Sequence, residues 1–253
     1  MTSQRPSADG SPDRDVLSRL LTSAAALLFD FDGPVTRFFH HYDTRPIARE
    51  IKALLLERGV SLPAHVQASE DSHGLLHLLR SEVFTADDPG PEEQKTLELA
   101  EGIVTRHEYQ AALGAVPDEH VGALATELSR LGKRLAIVSN NAEGPVRAYL
   151  ERVGLDGMFT PVLGRDPYEL RHMKPDPHRV RTAVHHLGLK AADCLLVGDQ
   201  PTDLEAARTA GTPFLGYARS EAVADQMRRE GAIWADISLL PLLRAASQLT
   251  GPN

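Results

Sequence analysis

Two carboxylates that follow an uncharged run are the first candidates for chemistry in this sequence. Ala24–Phe29 contains only alanine, leucine and phenylalanine. Asp30 and Asp32 follow directly, and Gly33-Pro34 then ends the predicted strand. An extended backbone places residues two apart on the same side of a strand. Two like charges held that close need a bound cation or a shared proton. A DxDG surface turn and the start of a calcium loop are the alternatives, although such a loop would need more oxygen ligands afterwards.

Three further polar signatures stand beside predicted strands and helices. Ser139-Asn140 follows the apolar run Leu135–Val138, and Gly198-Asp199-x-x-x-Asp203 follows the predicted strand Asp193–Val197. Lys174-Pro175-Asp176-Pro177 lies at the start of a helix predicted over Pro175–Leu187. The carboxyl ends of parallel strands meet at one edge of an open sheet, where ligands bind. We therefore expect the four signatures to converge on one crevice.

A crevice lined in this way suits phosphoryl chemistry. Clustered aspartates would repel one another, and Mg²⁺, which prefers carboxylate oxygens and water, would relieve the repulsion; the cluster comprises Asp30, Asp32, Asp199 and Asp203. Lys174 can supply positive charge to an anionic substrate, and the Ser139 hydroxyl can donate a hydrogen bond to a phosphoryl oxygen. Carboxylates also form acyl phosphates, so one carboxylate can lie at the metal while the second reaches a leaving group.

The elements that position these residues alternate between apolar strands and helices. Asp15–Ser23 has helical spacing of its apolar residues and precedes the first strand. Predicted helices separate the later strands, which are Leu135–Val138, Phe159–Leu163, Asp193–Val197 and Thr212–Tyr217, and one or two helices form the tail. This order implies right-handed βαβ units. The predicted fold class is α/β, with a doubly wound, Rossmann-like parallel sheet.

The region between the first and second signatures differs in character. Apolar residues recur there at intervals of three or four between polar breaks, and no segment has the pattern of a buried strand. We therefore predict an inserted α-helical cap domain at 37–115. The α/β core would comprise 15–36 and 116–253, and residues 1–14, rich in Ser, Pro, Asp and Arg, would form a flexible N-terminus.

Composition narrows the possible partners. The 253 residues carry a formal net charge of −8, and without clustered Lys and Arg we predict neither nucleic acid nor a membrane as a partner. No signal-peptide pattern or bilayer-length apolar run occurs, so we expect a soluble cytoplasmic protein. Cys194, the one cysteine, excludes an internal disulfide and is predicted to be buried and inert. The sequence carries no signal for an oligomeric state.

In this order the four signatures resemble those of the haloacid dehalogenase superfamily of phosphohydrolases, and they extend over most of the chain. The resemblance implies that Asp30 is the nucleophile and a magnesium ligand. It implies that Asp32 is the general acid/base and binds the metal through its backbone carbonyl, and that the Ser139 hydroxyl binds phosphate. The long insert lies where this family places its C1 helical cap.

The same resemblance implies roles for the remaining signatures. Lys174 would steady an aspartyl-phosphate, Asp199 would be an acidic metal ligand, and Asp203 would bind or orient the metal and its waters. Asp32 favours phosphate esters, because family members that cleave carbon–halogen bonds lack this second aspartate. Pro34 departs from the usual Thr or Ser, which removes a backbone donor and a hydroxyl from the turn.

The activity implied is Mg²⁺-dependent hydrolysis of a small phosphorylated metabolite. A phosphoglycolate-like substrate or a sugar phosphate suits a C1 cap, by analogy with phosphoglycolate phosphatases of the family. A phosphomutase, which passes the phosphoryl group to a sugar, and a non-catalytic phosphate-binding regulator are the alternatives. The candidate substrate-binding residues are Ser139, Asn140, Lys174 and Arg37.

Other charged residues are weaker candidates. His73 and His77, four apart, could share a helix face as a metal pair, but no third ligand is placed by sequence, which favours solvated or cap-interface histidines. Arg106-His107 near the return from the insert, and Arg171-His172 before Lys174, could contact an anionic substrate; surface positions are the alternative.

Overall fold

A computed structural model describes residues 12–251 of the chain, with side chains described from Asp15 onward. Residues 1–11, most of the predicted flexible N-terminus, lie outside the described residues. The first helix begins at Pro12, three residues before its predicted start.

A parallel sheet of six strands forms the centre of the described chain. The strands are β1 (Ala26–Phe29), β2 (Arg134–Ala142), β3 (Val162–Arg165), β4 (Cys194–Gly198), β5 (Phe214–Tyr217) and β6 (Trp234–Asp236). Their spatial order is β3-β2-β1-β4-β5-β6. Phe29 at the end of β1 is paired with Ile137 of β2 on one side and with Val197 of β4 on the other. The polar residues that follow these positions therefore lie at one edge of the sheet.

Helices cover both faces of the sheet and form the insert. In chain order the described α-helices are α1 (Pro12–Ser23), α2 (Arg45–Glu57), α3 (Ala64–Ala68), α4 (Ser72–Leu78), α5 (Pro91–Gly114), α6 (Val121–Arg130), α7 (Glu143–Val153), α8 (His178–His186), α9 (Pro201–Ala210), α10 (Glu221–Glu230) and α11 (Leu240–Gln248). One π-helical turn, Leu79–Val83, continues α4.

The alternating side chains of β1 separate two apolar layers. Leu27 and Phe29 join the layer covered by α1, α6, α7 and α11, whereas Ala26 and Leu28 join the layer covered by α8, α9 and α10. Cys194 is buried in the second layer, and burial raises the pKa of its thiol to about 11. The predicted doubly wound α/β fold and the buried cysteine are confirmed.

The insert between β1 and β2 has an apolar core of its own. Ile47 and Ile51 of α2 pack there with Leu76 of α4 and Leu97 of α5, and Met173 of the core segment joins them. The inserted helical cap is confirmed, while its boundaries at 37–115 stay a prediction. Each helix of the described chain is too short or too polar to cross a lipid bilayer.

Several elements differ from the prediction, among them β3, which spans Val162–Arg165 in place of the predicted Phe159–Leu163. β2 does not end at Val138 but continues to Ala142, because Ser139 and Asn141 are buried and hydrogen-bonded within the strand. The helix predicted from Pro175 begins at His178, because two prolines precede it. β6 was not predicted at all, and its Trp234 is buried.

Gly164 in β3 is a position where the fold tolerates no side chain. A Cβ there would collide with the backbone nitrogen of Glu143 and lie 2.7 Å from the Asn141 carbonyl oxygen. Because backbone atoms cannot rotate away, Gly164→Ala should lower the free energy of unfolding by about 1–3 kcal/mol, measured by urea denaturation. Gly102→Ala in α5, where a Cβ would meet nothing within 4 Å, is the matched control and should not destabilise the protein. Equal unfolding midpoints for the two variants would contradict this prediction.

Candidate active site

Lys174 joins three of the predicted signatures at the carboxyl edge of the sheet. Its Nζ lies 2.7 Å from Oδ1 of Asp30 and 2.6 Å from Oδ1 of Asp203, and it donates a hydrogen bond of 3.0 Å to the Val138 carbonyl. All three charged side chains are almost fully buried. Burial alone would lower the pKa of Lys174, but Asp203 and Asp30 outweigh it and raise the pKa above its ordinary value. The lysine thus connects the end of β1 and the middle of β2 with α9.

The carboxylates around this lysine are too many for one positive charge. Burial, followed by repulsion from Asp203, raises the pKa of Asp30 well above its ordinary value, although Lys174 acts against this. Burial also raises the pKa of Asp199 to about 7, with Asp203 and Asp32 adding repulsion. The site therefore favours the arrival of a further cation.

Three of the four predicted metal-binding aspartates form a group that could hold such a cation. One carboxylate oxygen from each of Asp30, Asp199 and Asp203 lies within 4.8 Å of the others. Oδ1 of Asp199 is buried and accepts no hydrogen bond in the described chain. Gly33, at φ +119°, allows this approach, since a Cβ there would lie 2.6 Å from Cγ of Asp199. An all-oxygen group of this kind fits a hard divalent metal.

Asp32 lies beside this group but its carboxylate is not part of it. Oδ1 of Asp32 accepts a hydrogen bond of 2.8 Å from the backbone N–H of Phe38. Burial raises the pKa of Asp32, while the Phe38 N–H and the charges of His73 and Arg219 act in the opposite direction. A raised pKa suits a carboxyl group that must carry a proton. The predicted metal contact of its backbone carbonyl stays a prediction.

The second signature makes its contacts within the core. The Ser139 hydroxyl donates to Oδ1 of Asn141 at 3.0 Å and accepts from the Asn141 backbone N–H. Asn140 accepts from the Lys174 backbone N–H at 2.7 Å and donates to its carbonyl at 3.0 Å. Asn140 thereby holds the Lys174 segment in place. Ser139, 1% exposed, must turn its hydroxyl away from Asn141 to reach a phosphoryl oxygen, so its predicted role stays a prediction.

A cleft of about 900 Å³ lies between the cap and this edge of the sheet. Its core side includes Asp30, Asp32, Asn140, Lys174, Asp199 and Asp203. Its cap side includes one face of α4, with His73 and His77, and the exposed Arg37 lines it as well. Among the described residues, a metal pair at His73 and His77 has no third ligand, and His73 bonds to Glu108, as expected of a cap-interface histidine.

Sequence reasoning missed Arg219, which also lines the cleft. It stands two residues beyond β5, and its Nη2 lies 3.6 Å from Oδ2 of Asp199. The end of β5 meets the same edge of the sheet as β1 and β4, so the predicted strand Thr212–Tyr217 could have pointed to it.

Four of the weaker candidates do not line the cleft; they are Arg106, His107, Arg171 and His172. Arg106 is exposed and pairs with Glu50, and His107 bonds to the Tyr42 hydroxyl at 2.6 Å. The other pair also has other partners: Arg171 bonds to Glu169 and Asp87, and the His172 ring stacks on His178 with centroids 3.7 Å apart. Their alternative reading as surface or packing residues fits these contacts.

The chain is similar to known proteins over most of its length. The family model described as haloacid dehalogenase-like hydrolase matches residues 24–211. A phosphoglycolate phosphatase of Neisseria gonorrhoeae is 31% identical over 196 residues, which cover 76% of this chain and 78% of that protein. A phosphoglycolate phosphatase of Rhodospirillum rubrum is 42% identical over 101 residues, which cover 38% of this chain and 41% of that protein.

Solved structures of lower identity share the fold. A predicted phosphatase from Clostridium acetobutylicum superposes with a TM-score of 0.62 at 18% identity, covering 89% of this chain and 99% of that one. A hydrolase of the same family from Deinococcus radiodurans, solved with bound phosphate and sodium, gives a TM-score of 0.55 at 24% identity over 91% of this chain and 99% of that one.

Proposed function

The chain belongs to the haloacid dehalogenase-like hydrolase family, and we propose that it is a Mg²⁺-dependent phosphatase that hydrolyses a small phosphomonoester. The observation that supports this proposal is the buried Asp30 carboxylate at the cleft, 2.7 Å from Lys174. A second carboxyl group, Asp32, whose pKa is raised by burial, lies two residues away. A nucleophile, a neutralising cation and an acid in one cleft are the groups that phosphoester hydrolysis needs.

In the proposed reaction the two carboxyl groups act in turn. An Asp30 oxygen attacks phosphorus, the ester P–O bond breaks, and Asp32 gives its proton to the leaving oxygen. Water then attacks phosphorus while Asp32 takes its proton, which breaks the acyl-phosphate bond and releases inorganic phosphate. Lys174 stabilises the negative charge on the aspartyl-phosphate, and Ser139 donates a hydrogen bond to a phosphoryl oxygen.

The metal would be held by the side chains of Asp30, Asp199 and Asp203, with the Asp32 backbone carbonyl as the proposed fourth protein ligand. When bound, Mg²⁺ would offset the negative charge of the phosphoryl group and of the carboxylates around it. The unpartnered Oδ1 of Asp199 and the raised pKa values of Asp30 and Asp199 support this assignment.

We propose a phosphoglycolate-like metabolite or a sugar phosphate as the substrate, and a cytoplasmic location. The Neisseria and Rhodospirillum relatives, both phosphoglycolate phosphatases, support the first of these substrates. The cap, which forms one side of the cleft, would exclude bulk water during the reaction and select the leaving group.

Release of inorganic phosphate from an aryl phosphate tests the proposal and its metal requirement. We expect hydrolysis with Mg²⁺, a fall to background with excess EDTA, and recovery when Mg²⁺ is restored. Asp199→Asn, which removes a charged ligand, should raise the half-saturating Mg²⁺ concentration roughly tenfold or more. Exposed Asp156→Asn is the control and should leave that concentration as it is.

Three results would count against the proposal. Undiminished activity in EDTA would exclude the metal requirement, and absence of phosphate release under all these conditions would exclude the phosphatase. Phosphate transfer to a sugar that depends on a bisphosphate activator would instead identify a phosphomutase.

A further inference from the structure

A buried charge cluster joins the cap to the core behind the cleft. Arg165 stands at the end of β3 and pairs with two glutamates of α5. Its Nη2 lies 2.8 Å from Oε1 of Glu101, and its Nη1 lies 2.9 Å from Oε1 of Glu108. The Arg165 and Glu108 side chains are 0% exposed. The guanidinium also donates to the Asn140 carbonyl at 2.7 Å. The cap is thus attached to the strand that carries the second signature.

Glu108 reaches from this cluster to both sides of the cleft. On the core side it accepts from the Asn141 amide at 3.2 Å and from the Ala142 backbone N–H at 3.0 Å. On the cap side Nε2 of His73 lies 2.8 Å from its Oε1. An ionised carboxylate can only accept, so Nε2 of His73 must carry a hydrogen. Glu108 therefore fixes the orientation of an imidazole that lines the cleft.

The cluster holds more carboxylates than cations of its own. One guanidinium faces two carboxylates, and His73 is the further donor that reaches Glu108 from the cap side. Burial would raise the pKa of Glu108, but Arg165 and His73 outweigh it and hold that pKa at about 2, so Glu108 is ionised. His73 also stands close enough to Asp32 for its charge to act on that carboxyl group.

The cleft beyond the aspartate site carries two more cations. Arg219, 72% exposed, and Arg37 line it, and Asp71 is the one further carboxylate among the described lining residues. Asp71 is the N-cap residue of α4, and its side chain accepts a hydrogen bond from the His73 backbone N–H. Beyond the aspartate site, the described lining therefore carries two guanidinium groups and one carboxylate.

We propose that His73, oriented by Glu108, is a specificity-determining residue that contacts the leaving group, and that the site takes phosphomonoesters whose leaving group carries its own negative charge. This inference rests on the proposed phosphatase function. A carboxylate and a second phosphate would both satisfy it, because each accepts charge-assisted hydrogen bonds from an imidazolium and a guanidinium.

Two phosphate esters of nearly equal size distinguish the effect of the leaving group's charge from the effect of its shape. 2-Phosphoglycolate has a carboxylate where 2-hydroxyethyl phosphate has a neutral alcohol, and pyrophosphate tests a phosphate as the leaving group. In the wild type, kcat/KM should be higher for the anionic substrates. His73→Gln can still donate to Glu108 but cannot be cationic, so it should lower the ratio of kcat/KM for phosphoglycolate over hydroxyethyl phosphate roughly tenfold, mainly through KM.

The matched control is His65→Gln, also in the cap, because His65 forms the same kind of pair with Glu82 at 2.7 Å but lies outside the cleft. It should leave the ratio of kcat/KM for the two esters within about twofold of the wild type.

Arg219→Gln, at an exposed position where folding is not at risk, should lower this ratio, as His73→Gln does. An unchanged ratio in either cleft variant, or an equal fall in His65→Gln, overturns the inference. If the wild type hydrolyses aryl phosphate without preferring anionic esters, the inference fails alone; if it hydrolyses no ester, the proposed function fails and the inference with it.

Discussion

Asp30→Asn should lower phosphatase activity by about 10⁴-fold or more, because an amide cannot attack phosphorus as a carboxylate does. The substitution keeps the size of the side chain, so the cleft and the cap keep their shape. The same change should not destabilise the metal-free protein. The pKa of Asp30 is raised by burial and by Asp203, so its ionised form opposes folding at neutral pH, and a neutral amide removes that cost.

Single-turnover hydrolysis of an aryl phosphate, with thermal unfolding measured in EDTA, checks both parts of this prediction. Exposed Asp156→Asn serves as the control for the loss of one carboxylate. Loss of activity at equal or higher thermal stability identifies Asp30 as part of the catalytic site and not as a residue needed for folding. Activity within tenfold of the wild type would exclude Asp30 as the nucleophile, and a large fall in stability would show that the carboxylate has a structural role instead.

The placement of the site could be predicted because it depends on strand ends. Phe29, Ile137 and Val197 are aligned across three neighbouring strands, so the polar residues after them meet whatever the details of packing. An apolar run that changes abruptly to aspartate or serine is visible without any partner. The sequence therefore indicated the central sheet, the aspartate cluster and Lys174 together.

Features that depend on packing between distant segments were not predictable in this way. β6 has three residues and pairs only with β5, too short a run for a pattern. Arg219 belongs to no motif, and only its position two residues beyond a predicted strand could have pointed to it. Glu108 lies in a helix whose other charged residues are mostly solvated, and its partner Arg165 stands 57 residues further along the chain. That contact depends on how the cap packs against β3, and no local sequence pattern predicts this packing.

Arg165→Met should lower the free energy of unfolding by about 3–5 kcal/mol, because it leaves Glu101 and Glu108 buried without their shared cation. Methionine nearly matches the length of the arginine stem, so the cost comes from charge more than from an empty volume. The loss should be largest for the contact between α5 and β3, where the cap meets the core. Urea denaturation, followed with hydrogen exchange of the α5 amides, measures both effects.

A comparison of ion pairs separates buried charge from the general loss of an arginine. Arg147→Met breaks the pair with Glu143, whose side chains are 55% and 48% exposed, and should cost no more than about 1 kcal/mol. Adding Glu101→Gln and Glu108→Gln to Arg165→Met removes the uncompensated charges and should restore part of the lost stability. A triple variant no more stable than Arg165→Met would show that the guanidinium acts through packing. A triple variant that regains stability but does not prefer anionic esters would instead separate the cluster's role in cap docking from its role in orienting His73.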